Sequence, residues 1–561
     1  MTTIDWAAVA VYLMIITGIG IYFGRYMRKV ADFFKGGNEI PWWLSGISSY
    51  MTGFSAFVFV AYAKMAYDYG LMAATMCWSV VPAYLVGAYL FAPLWRRTGI
   101  LTPVEYLEKR YNIAVRQLFG WVGIPVRLID DALKIVAMGT FISVIMKVDM
   151  VWAMVTLGTV VVVYCVIGGL WAVVITDMVQ FVVLSVSLCL VVPLALMRVG
   201  GVGKLIEGSP EGFFSVMNPN HPEIGWPYFF AFAFLIFLSY NSTWSLVQRS
   251  YAVKDERAAR KANLLAALLS FVTPLFWILP SMCARQILPN LEDGGQSFVR
   301  LCVEILPAGF LGIVLAGMFS ATMSTLSSDY NIFAGVITED IYHRLFNKEA
   351  SEGRRLMVGR LSLLVVGAIA VGIAIYVQQT GTGLFKWMAE NFGIALPPMA
   401  VPMLGGLLFR RTTAAGAIAT YFAGLTTAIA LKFGFGQPYW IFTGANMVVS
   451  TLVFFACGQL LPRRGDAEEA RMQALFERLK TPLGRAELDA IDRRVAEGPT
   501  PLYIVGVILC AIGGLLALLG IAPMAMNARI TNWVLAAVLI VLGVLGIHYR
   551  PKPSQAPEAE Q

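Results

Sequence analysis

Long apolar runs recur along the whole chain and alternate with short polar stretches. A transmembrane helix needs about 20 mostly apolar residues, and about fifteen runs meet this requirement. They lie at 6–24, 43–63, 71–95, 119–146, 150–169, 173–198, 226–247, 264–288, 302–337, 356–378, 385–409, 413–434, 438–461, 501–521 and 530–548. The pattern therefore predicts an all-α polytopic membrane protein with about fifteen transmembrane helices.

The composition of the chain supports this interpretation. Of its 561 residues, 58% are hydrophobic and 14% are charged, whereas about a quarter of the residues of an ordinary soluble domain are charged. A soluble protein is excluded, and the expected partner of the apolar runs is the lipid bilayer rather than nucleic acid. The seven cysteines show no metal-ligand or redox spacing, so we expect them to be small packing residues.

Basic residues concentrate in alternate loops, and such loops usually face the cytoplasm. Clear examples are Arg25, Arg28, Lys29 and Lys35 after the first run, Arg249, Lys254, Arg257, Arg260 and Lys261 after the seventh, and Arg550 and Lys552 after the last. This distribution predicts an outside N-terminus and a cytoplasmic C-terminus. The first run has no basic segment before it and no cleavage site after it, so we expect it to stay in the mature protein. A bacterial inner membrane fits best, with a eukaryotic plasma membrane as the alternative.

The charged stretch 463–500 separates a core from a tail. Its mixed charges at helical spacing predict a solvated cytoplasmic helical hairpin. We expect five regions: a leading helix and loop (1–40), a ten-helix core (41–411), two further helices (412–462), the charged linker (463–500) and a two-helix tail (501–561). The ten-helix core could consist of two five-helix bundles in inverted repeat, as in many transporters.

Hydroxyl and glycine residues crowd two of the apolar runs. The second run contains Ser45, Gly46, Ser48, Ser49, Thr52, Gly53 and Ser55. Glycine weakens a helix, so this run is expected to break and free carbonyls that can coordinate a cation. The alternative is close helix packing through small residues.

The ninth run carries a second polar cluster, made of Ser320, Thr322, Ser324, Thr325, Ser327, Ser328 and Asp329. Ser324, Ser327 and Ser328 lie on one helical face. Neutral hydroxyl oxygens suit a weakly held monovalent cation. Hydroxyls that bond back to their own helix are the alternative.

Ionisable residues inside apolar runs are a further candidate for function. Asp177 lies in the sixth run, where it could also face water near the cytoplasmic end. In the fourth run, the spacing pairs Arg127 with Asp131 and Asp130 with Lys134. We interpret these four as a structural network, with solute contact as the alternative.

Four sequence stretches together resemble the sodium:solute symporter family. They are Phe54-Ser55-Ala56 with Gly70, Thr102-Pro103-Val104-Glu105-Tyr106-Leu107, Gly168-Gly169 through Asp177 and Gln180, and Ala321-Thr322-Met323-Ser324-Thr325-Leu326-Ser327-Ser328. The resemblance implies a leucine-transporter-like fold of inverted five-helix repeats. It also implies a sodium-coupled symporter of a small organic solute, which could be a sugar, a carboxylate or an amino-acid-like compound.

The resemblance further implies a sodium site between the second and ninth runs. Its ligands would be the backbone carbonyls of Met51, Phe54 and Ala321 and the hydroxyls of Ser324 and Thr325. The coupling ion would be Na⁺, one or two per solute.

Some family members hold a second sodium with an aspartate and two serines, a pattern that Asp177, Ser327 and Ser328 match. We therefore predict two sodium ions.

The second and seventh runs would open the two repeats and face the central cavity. Candidate solute contacts on them are Thr52, Phe57, Tyr240, Asn241 and Thr243. The polar residues of many sugar carriers are replaced here by Gly53, Val58 and Ser270, although a sugar held in another way stays open.

Other functional classes have less support. The sequence shows no nucleophile, metal cluster or phosphate-binding loop of an enzyme. A sodium-responsive sensor of the same fold is the main alternative, and its linker and tail are too short for attached catalytic domains.

Overall fold

The computed structural model describes residues 1–24, 38–167, 170–306, 310–460, 465–497, 501–519 and 526–548. Several predicted features lie outside these residues. They are Gly168 and Gly169, the basic residues Arg25, Arg28, Lys29 and Lys35, the two ends of the linker 463–500, and the C-terminal Arg550 and Lys552.

All secondary-structure elements in the described residues are helical. In chain order the α-helices are α1 (Thr3–Gly24), α2 (Trp42–Thr52), α3 (Ala63–Tyr69), α4 (Met72–Trp78), α5 (Val80–Val86), α6 (Ala92–Arg97), α7 (Glu105–Arg110), α8 (Ile113–Met146), α9 (Met150–Ile167), α10 (Leu170–Val199), α11 (Val202–Glu207), α12 (Trp226–Ser242), α13 (Trp244–Ala252), α14 (Glu256–Val272), α15 (Pro274–Ile287), α16 (Ser297–Ile305), α17 (Phe310–Gly335), α18 (Glu352–Gln379), α19 (Leu384–Leu408), α20 (Ala414–Ile429), α21 (Tyr439–Leu460), α22 (Asp466–Lys480), α23 (Arg485–Glu497), α24 (Pro501–Leu519) and α25 (Met526–His548). Four π-helical segments join them at Val58–Tyr62, Gly87–Phe91, Val336–Phe346 and Ala430–Gly434, and two 3-10 turns lie at Pro222–Ile224 and Gly294–Gln296.

Eight helical stretches of the described residues are long and apolar enough to cross a membrane. The number rises to ten if each of two bent pairs, α8 with α9 and α12 with α13, counts as one span. Shorter apolar stretches occur in α1, α24 and α25. An all-helical, multi-pass membrane protein is thereby confirmed, whereas the count of about fifteen spans stays a prediction, because broken helices do not present one uninterrupted apolar length.

The second apolar run is broken, as its glycines and hydroxyls predict. Helix α2 ends at Thr52, and a π-helical segment begins at Val58 and leads into α3. At Gly53 a Cβ atom would lie 3.0 Å from the Tyr240 hydroxyl oxygen, so a larger residue would press against α12. Residues 53–57 lie between the two helical segments, and the Ala56 N–H there donates to the Thr322 hydroxyl of α17 at 3.1 Å instead of to its own helix.

Helix α17 forms the centre of the bundle. In its most apolar stretch 89% of the residues are buried, although it carries the hydroxyl cluster of the ninth run. It packs against α1, α2, α8, α10 and α18. Because buried polar groups need partners, these hydroxyls bond either within α17, as Ser327 does to the Ser324 carbonyl, or to neighbouring segments, as Thr325 does to the Phe54 carbonyl.

The described part of the charged linker consists of α22 and α23, which pack on the core. Met472, Leu475, Phe476 and Leu479 of α22 are 3–6% exposed. Arg97 donates a hydrogen bond to the Leu479 carbonyl at 2.7 Å. The expected helices are present, but the expectation of a solvated hairpin is wrong for the apolar face of α22.

Candidate ion sites and solute cavity

Three backbone carbonyls converge on the hydroxyl of Thr325. The Thr325 Oγ1 atom lies 3.3 Å from the Met51 carbonyl, 2.7 Å from that of Phe54 and 3.2 Å from that of Ala321. The first two carbonyls come from the broken second run, and the third comes from the preceding turn of α17. We call these four residues the Thr325 group.

All four residues of the Thr325 group are at most 4% exposed. Neutral oxygens that converge in a buried place form the ligand type that monovalent cations accept. The group carries no formal charge, so a bound cation would face no competing cation among these four residues. The Thr325 hydroxyl can present its oxygen to an ion by turning its proton away from the carbonyls.

The hydroxyl of Ser324, the fifth predicted ligand, is engaged elsewhere. It donates to Asp177 Oδ1 at 2.6 Å. Ser324 therefore connects the Thr325 group to Asp177, and it must rotate to complete the first site.

Asp177 lies in a second polar group, together with Arg249 and Ser48. Ser48 donates to Asp177 Oδ2 at 2.5 Å, and the Arg249 Nη2 atom lies 3.6 Å from the same oxygen. Asp177 is 0% exposed, which excludes the alternative that it faces water. We call Asp177, Arg249, Ser48 and Ser328 the Asp177 group.

The two predicted serine partners of Asp177 bond to other residues. Ser328 accepts a hydrogen bond from Arg249 Nη2 at 2.5 Å and lies 3.1 Å from the Thr52 hydroxyl. Ser327 donates to the carbonyl of Ser324 in its own helix at 3.1 Å. In this arrangement the guanidinium of Arg249 takes the role of the cation that neutralises Asp177.

Arg249 and Ser48 are functional candidates that the sequence reasoning did not assign. A Gln-Arg pair, Gln248-Arg249, next to an apolar run was the available signal. Arg249 is 1% exposed, and a buried guanidinium needs a carboxylate partner. Sequence alone does not show which carboxylate that is.

The charged residues of α8 form a network with Asp329 of α17. The Lys134 Nζ atom lies 2.8 Å from Asp130, 2.9 Å from Asp131 and 3.2 Å from Asp329. Arg127 pairs with Asp329 at 3.1 Å and with Asp130 at 3.8 Å. The pairing of Asp130 with Lys134 is confirmed, and the expected pairing of Arg127 with Asp131 is wrong because Asp329 takes that place.

The three carboxylates of this network have oxygens within 4.8 Å of one another, a spacing that could suit a metal ion. However, the ammonium of Lys134 already lies within hydrogen-bonding distance of all three. A metal ion among them would meet this positive charge, so the residues present do not fit one while Lys134 stays in place.

A cavity of about 140 Å³ is lined by Phe54 of the Thr325 group and by Thr52, whose hydroxyl lies 3.1 Å from that of Ser328 in the Asp177 group. Its lining includes four of the five predicted solute contacts, Thr52, Phe57, Tyr240 and Thr243. Asn241 does not line it, since its amide donates to the carbonyls of Ala83 and Phe237. Successive helical residues point about 100° apart, so Asn241 turns away from the face that presents Tyr240.

Sequence reasoning did not name the other lining residues as solute contacts, although it assigned Phe54 to the sodium site and kept solute contact as the alternative for the charged residues of the fourth run. The cavity wall also includes Tyr50, Phe54, Ser55, Tyr62, Tyr84, Ser239, Trp277, Met388 and Phe392, together with Arg127, Asp130 and Lys134 of the charged network. The network is therefore both a set of structural ion pairs and part of the cavity wall.

This broken-helix architecture, with buried carbonyl and hydroxyl oxygens beside a central cavity, is that of an ion-coupled membrane transporter. The model of the sodium:solute symporter family matches residues 33–424, which is more than half of the chain. The chain belongs to the sodium:solute symporter family.

Relatives of similar length agree with this assignment. The chain is 26% identical to the sodium/glucose cotransporter of Vibrio parahaemolyticus, over 77% of this chain and 86% of the relative. It is 24% identical to a sodium/sialic acid symporter of Aliivibrio fischeri, over 82% and 92% respectively. These relatives are transporters rather than enzymes, and they give the sensor alternative no support.

Solved structures show the same fold. An outward-open, sodium-coupled sialic acid symporter superposes with a TM-score of 0.74 at 20% identity, over 82% of this chain and 98% of that chain. A nucleobase-cation-symport-1 family transporter superposes with a TM-score of 0.52 at 13% identity, over 79% and 98%. The fold is therefore shared with ion-coupled transporters.

Proposed function

We propose that this chain is a sodium-coupled secondary active symporter that imports a small organic solute and binds its coupling ion at the Thr325 group. The observation that carries the proposal is the convergence of the Met51, Phe54 and Ala321 carbonyls on Thr325, beside the cavity that Thr52 lines. Sodium also occurs in the names of the relatives, among them a sodium/myo-inositol cotransporter of Sus scrofa.

The proposed core is leucine-transporter-like, with two inverted repeats of five helices. This proposal is supported by two broken helices, each of which would be the first helix of one repeat. The second run breaks after Thr52, and α12 and α13 meet at Thr243 with a bend of 48°. Broken helices that open the two repeats of a transporter build its binding site near the middle of the membrane. The orientation with an outside N-terminus in a bacterial inner membrane follows from the basic loops.

Sodium and solute are coupled in this proposal because both favour the same arrangement of α2 and α17. Sodium at the Thr325 group joins the broken run to α17 and lowers the cost of forming the solute site. By thermodynamic linkage, each ligand raises the affinity for the other by the same factor. Each sodium supplies about 2.3 kcal/mol per 100 mV of membrane potential.

A second sodium at Asp177, Ser327 and Ser328 requires a rearrangement. Arg249 must withdraw from Asp177, and Ser327 must turn away from its own helix. We propose that the second ion binds after this exchange, so that its binding moves α13, which carries Arg249, relative to α10 and α17.

The test is uptake into proteoliposomes of a labelled panel of sugars, uronates, sialic acid, monocarboxylates, amino acids and organic amines, with and without an inward sodium gradient. We expect sodium-dependent accumulation of one compound class, lost in Ser324→Ala. Loss in Asp177→Asn as well would support the second ion. Equal uptake with and without sodium across the panel would contradict the proposal.

A further inference from the structure

The charged network of α8 and α17 contains one more carboxylate than it has cations. Its carboxylates are Asp130, Asp131 and Asp329, and its cations are Arg127 and Lys134. The five side chains are at most 13% exposed. When every member is ionised, one negative charge of the network has no counterpart, and an unbalanced charge in a buried place is costly.

The neighbouring charges of α10 and α13 do not restore this balance. Arg249 of α13 faces the network, but it is paired with Asp177 of α10 at 3.6 Å, so these two residues add no net charge. Among the described residues, the further titratable groups that face Asp131 from packed helices are Cys165 of α9 and Tyr330 of α17. A thiol and a phenol are ordinarily neutral at pH 7. The excess negative charge therefore has to be removed within the network itself.

Asp131 is the carboxylate of the network with the fewest partners. Its Oδ1 atom accepts a hydrogen bond from Lys134 at 2.9 Å, whereas no described residue donates to Oδ2. Asp329 lies within 3.2 Å of both cations, and Asp130 lies 2.8 Å from Lys134 and lines the cavity. Asp131 is 0% exposed. Because a buried charged oxygen without a donor is unfavourable, Asp131 is the member that gains most from becoming neutral.

A neutral Asp131 also accounts for its position beside Asp329. One oxygen of each carboxyl group lies within 4.8 Å of the other, and the two side chains are close enough to share a hydrogen bond. Two ionised carboxylates have no hydrogen to share, whereas a protonated carboxyl can donate to a carboxylate. One proton therefore replaces a like-charge contact with a hydrogen bond.

We propose that Asp131 is a proton-binding site of this transporter. The proton comes from the solvent, binds to the Asp131 carboxylate and is donated towards Asp329, so that the network holds two positive and two negative charges. The site is separate from the Thr325 group and from the Asp177 group, and the inference goes beyond the proposed symport function.

Infrared spectroscopy of the purified full chain tests the proposal, because a protonated carboxyl absorbs apart from a carboxylate. In a detergent without carbonyl groups at pH 7, we expect the wild type to show a carboxyl band that shifts in D₂O and is lost in Asp131→Asn. The control is Asp68→Asn, which removes a carboxylate that pairs with Lys64 and is 27% exposed, and it should retain the band. An unchanged band in Asp131→Asn would overturn the inference.

The pH dependence of unfolding gives a second readout. If Asp131 is protonated in the folded protein and ionised in the unfolded chain, its contribution to stability is full at low pH and is lost as the pH rises. Above about pH 5, the unfolding equilibrium of the wild type should increase about tenfold per pH unit relative to that of Asp131→Asn, until the folded site loses its proton.

Denaturant unfolding of both proteins at several pH values measures this ratio. Parallel pH profiles of the wild type and Asp131→Asn would overturn the inference. Asparagine is the neutral counterpart of a protonated aspartate, so a failure of Asp131→Asn to fold, while Asp68→Asn folds, would overturn it as well. Neither measurement requires transport, so sodium-coupled symport is tested separately.

Discussion

The Thr325 group and the Asp177 group both involve α17, and Ser324 lies between them, yet they are built from opposite kinds of residue. The Thr325 group offers carbonyl and hydroxyl oxygens without a formal charge. The Asp177 group contains a carboxylate that a guanidinium already neutralises. The difference indicates that the Thr325 group can accept a cation once the hydroxyls of Thr325 and Ser324 rotate. The Asp177 group can accept a cation only after Arg249 has withdrawn from Asp177.

Removal of Arg249 should have the largest effect, because it leaves Asp177 buried and unpaired. We expect Arg249→Gln to destabilise the folded protein by about 3–5 kcal/mol, measured by thermal unfolding in detergent. The double variant Arg249→Gln with Asp177→Asn should recover most of that loss. If the double variant is as unstable as the single one, the pairing does not account for the stability of the Asp177 group.

Thermal unfolding of Arg249→Gln at high sodium concentration extends this prediction to ion binding. If Asp177 can accept the ion once Arg249 is absent, sodium should stabilise Arg249→Gln more than it stabilises the wild type. Equal stabilisation of both would show that the Asp177 group does not bind sodium.

Loss of one oxygen ligand at the Thr325 group should have a smaller effect than removal of Arg249, and it should act on sodium binding. Thr325→Val keeps the shape but removes the hydroxyl, and we expect the half-saturating sodium concentration for uptake to rise about tenfold, which is about 1.4 kcal/mol. The matched control is Thr338→Val, because the buried Thr338 hydroxyl has no hydrogen-bond partner among the described residues. An unchanged sodium dependence in Thr325→Val would remove this group from the coupling site.

The two serines of the predicted second site, Ser327 and Ser328, should differ in how much stability the protein loses when each is replaced by alanine. Ser328 accepts a hydrogen bond from the charged Arg249, and such bonds contribute about 1.5–3 kcal/mol. We expect Ser328→Ala to cost about 1.5 kcal/mol of stability in thermal unfolding. Among the described residues the Ser327 hydroxyl bonds within its own helix, so Ser327→Ala should change stability by no more than about 0.5 kcal/mol. Equal losses would contradict the hydrogen-bond pattern of the Asp177 group.

The smallest effect is expected where the paired charges are exposed and belong to neither group. Lys254 pairs with Asp492 of the linker at 2.5 Å, and their side chains are 38% and 46% exposed. Lys254→Ala should change stability by less than about 1 kcal/mol, and the difference should shrink further in high salt because exposed pairs are screened. A loss as large as that of Arg249→Gln would show that exposure does not separate the two kinds of ion pair.

Local features of the fold could be predicted from sequence. Gly53 and the hydroxyls around it indicated the break of the second run, and the spacing of Asp130 and Lys134 indicated their ion pair. The resemblance supplied Met51, Phe54 and Thr325 as members of one group. The helix break and the ion pair depend on residues that are close in sequence, and the Thr325 group depends on a family motif whose positions match this sequence.

Pairings between distant helices could not be predicted. Arg127 meets Asp329, 202 residues away, and nothing local distinguishes Asp329 from Asp131 as its partner. The same holds for Arg249 and Asp177, whose contact depends on how α10, α13 and α17 pack. The exclusion of Asn241 from the cavity depends likewise on the rotation of α12 about its axis.

The buried face of the linker has a signal in the sequence. Met472, Leu475, Phe476 and Leu479 follow the helical spacing that predicts one apolar stripe. The mixed charges around this stripe are typical of a solvated helix and obscure it. Phe476 lies beneath the guanidinium of Arg410 at 4.8 Å, so part of the charge of this region faces the linker rather than water.

Direct binding of radioactive sodium to the purified protein tests the central claim most directly, in the wild type, Thr325→Val and Asp177→Asn. If the Thr325 group holds the coupling ion independently of Asp177, Thr325→Val should weaken the binding of one sodium about tenfold, while Asp177→Asn should retain that ion. Wild-type sodium binding in Thr325→Val, together with complete loss in Asp177→Asn, would contradict the account.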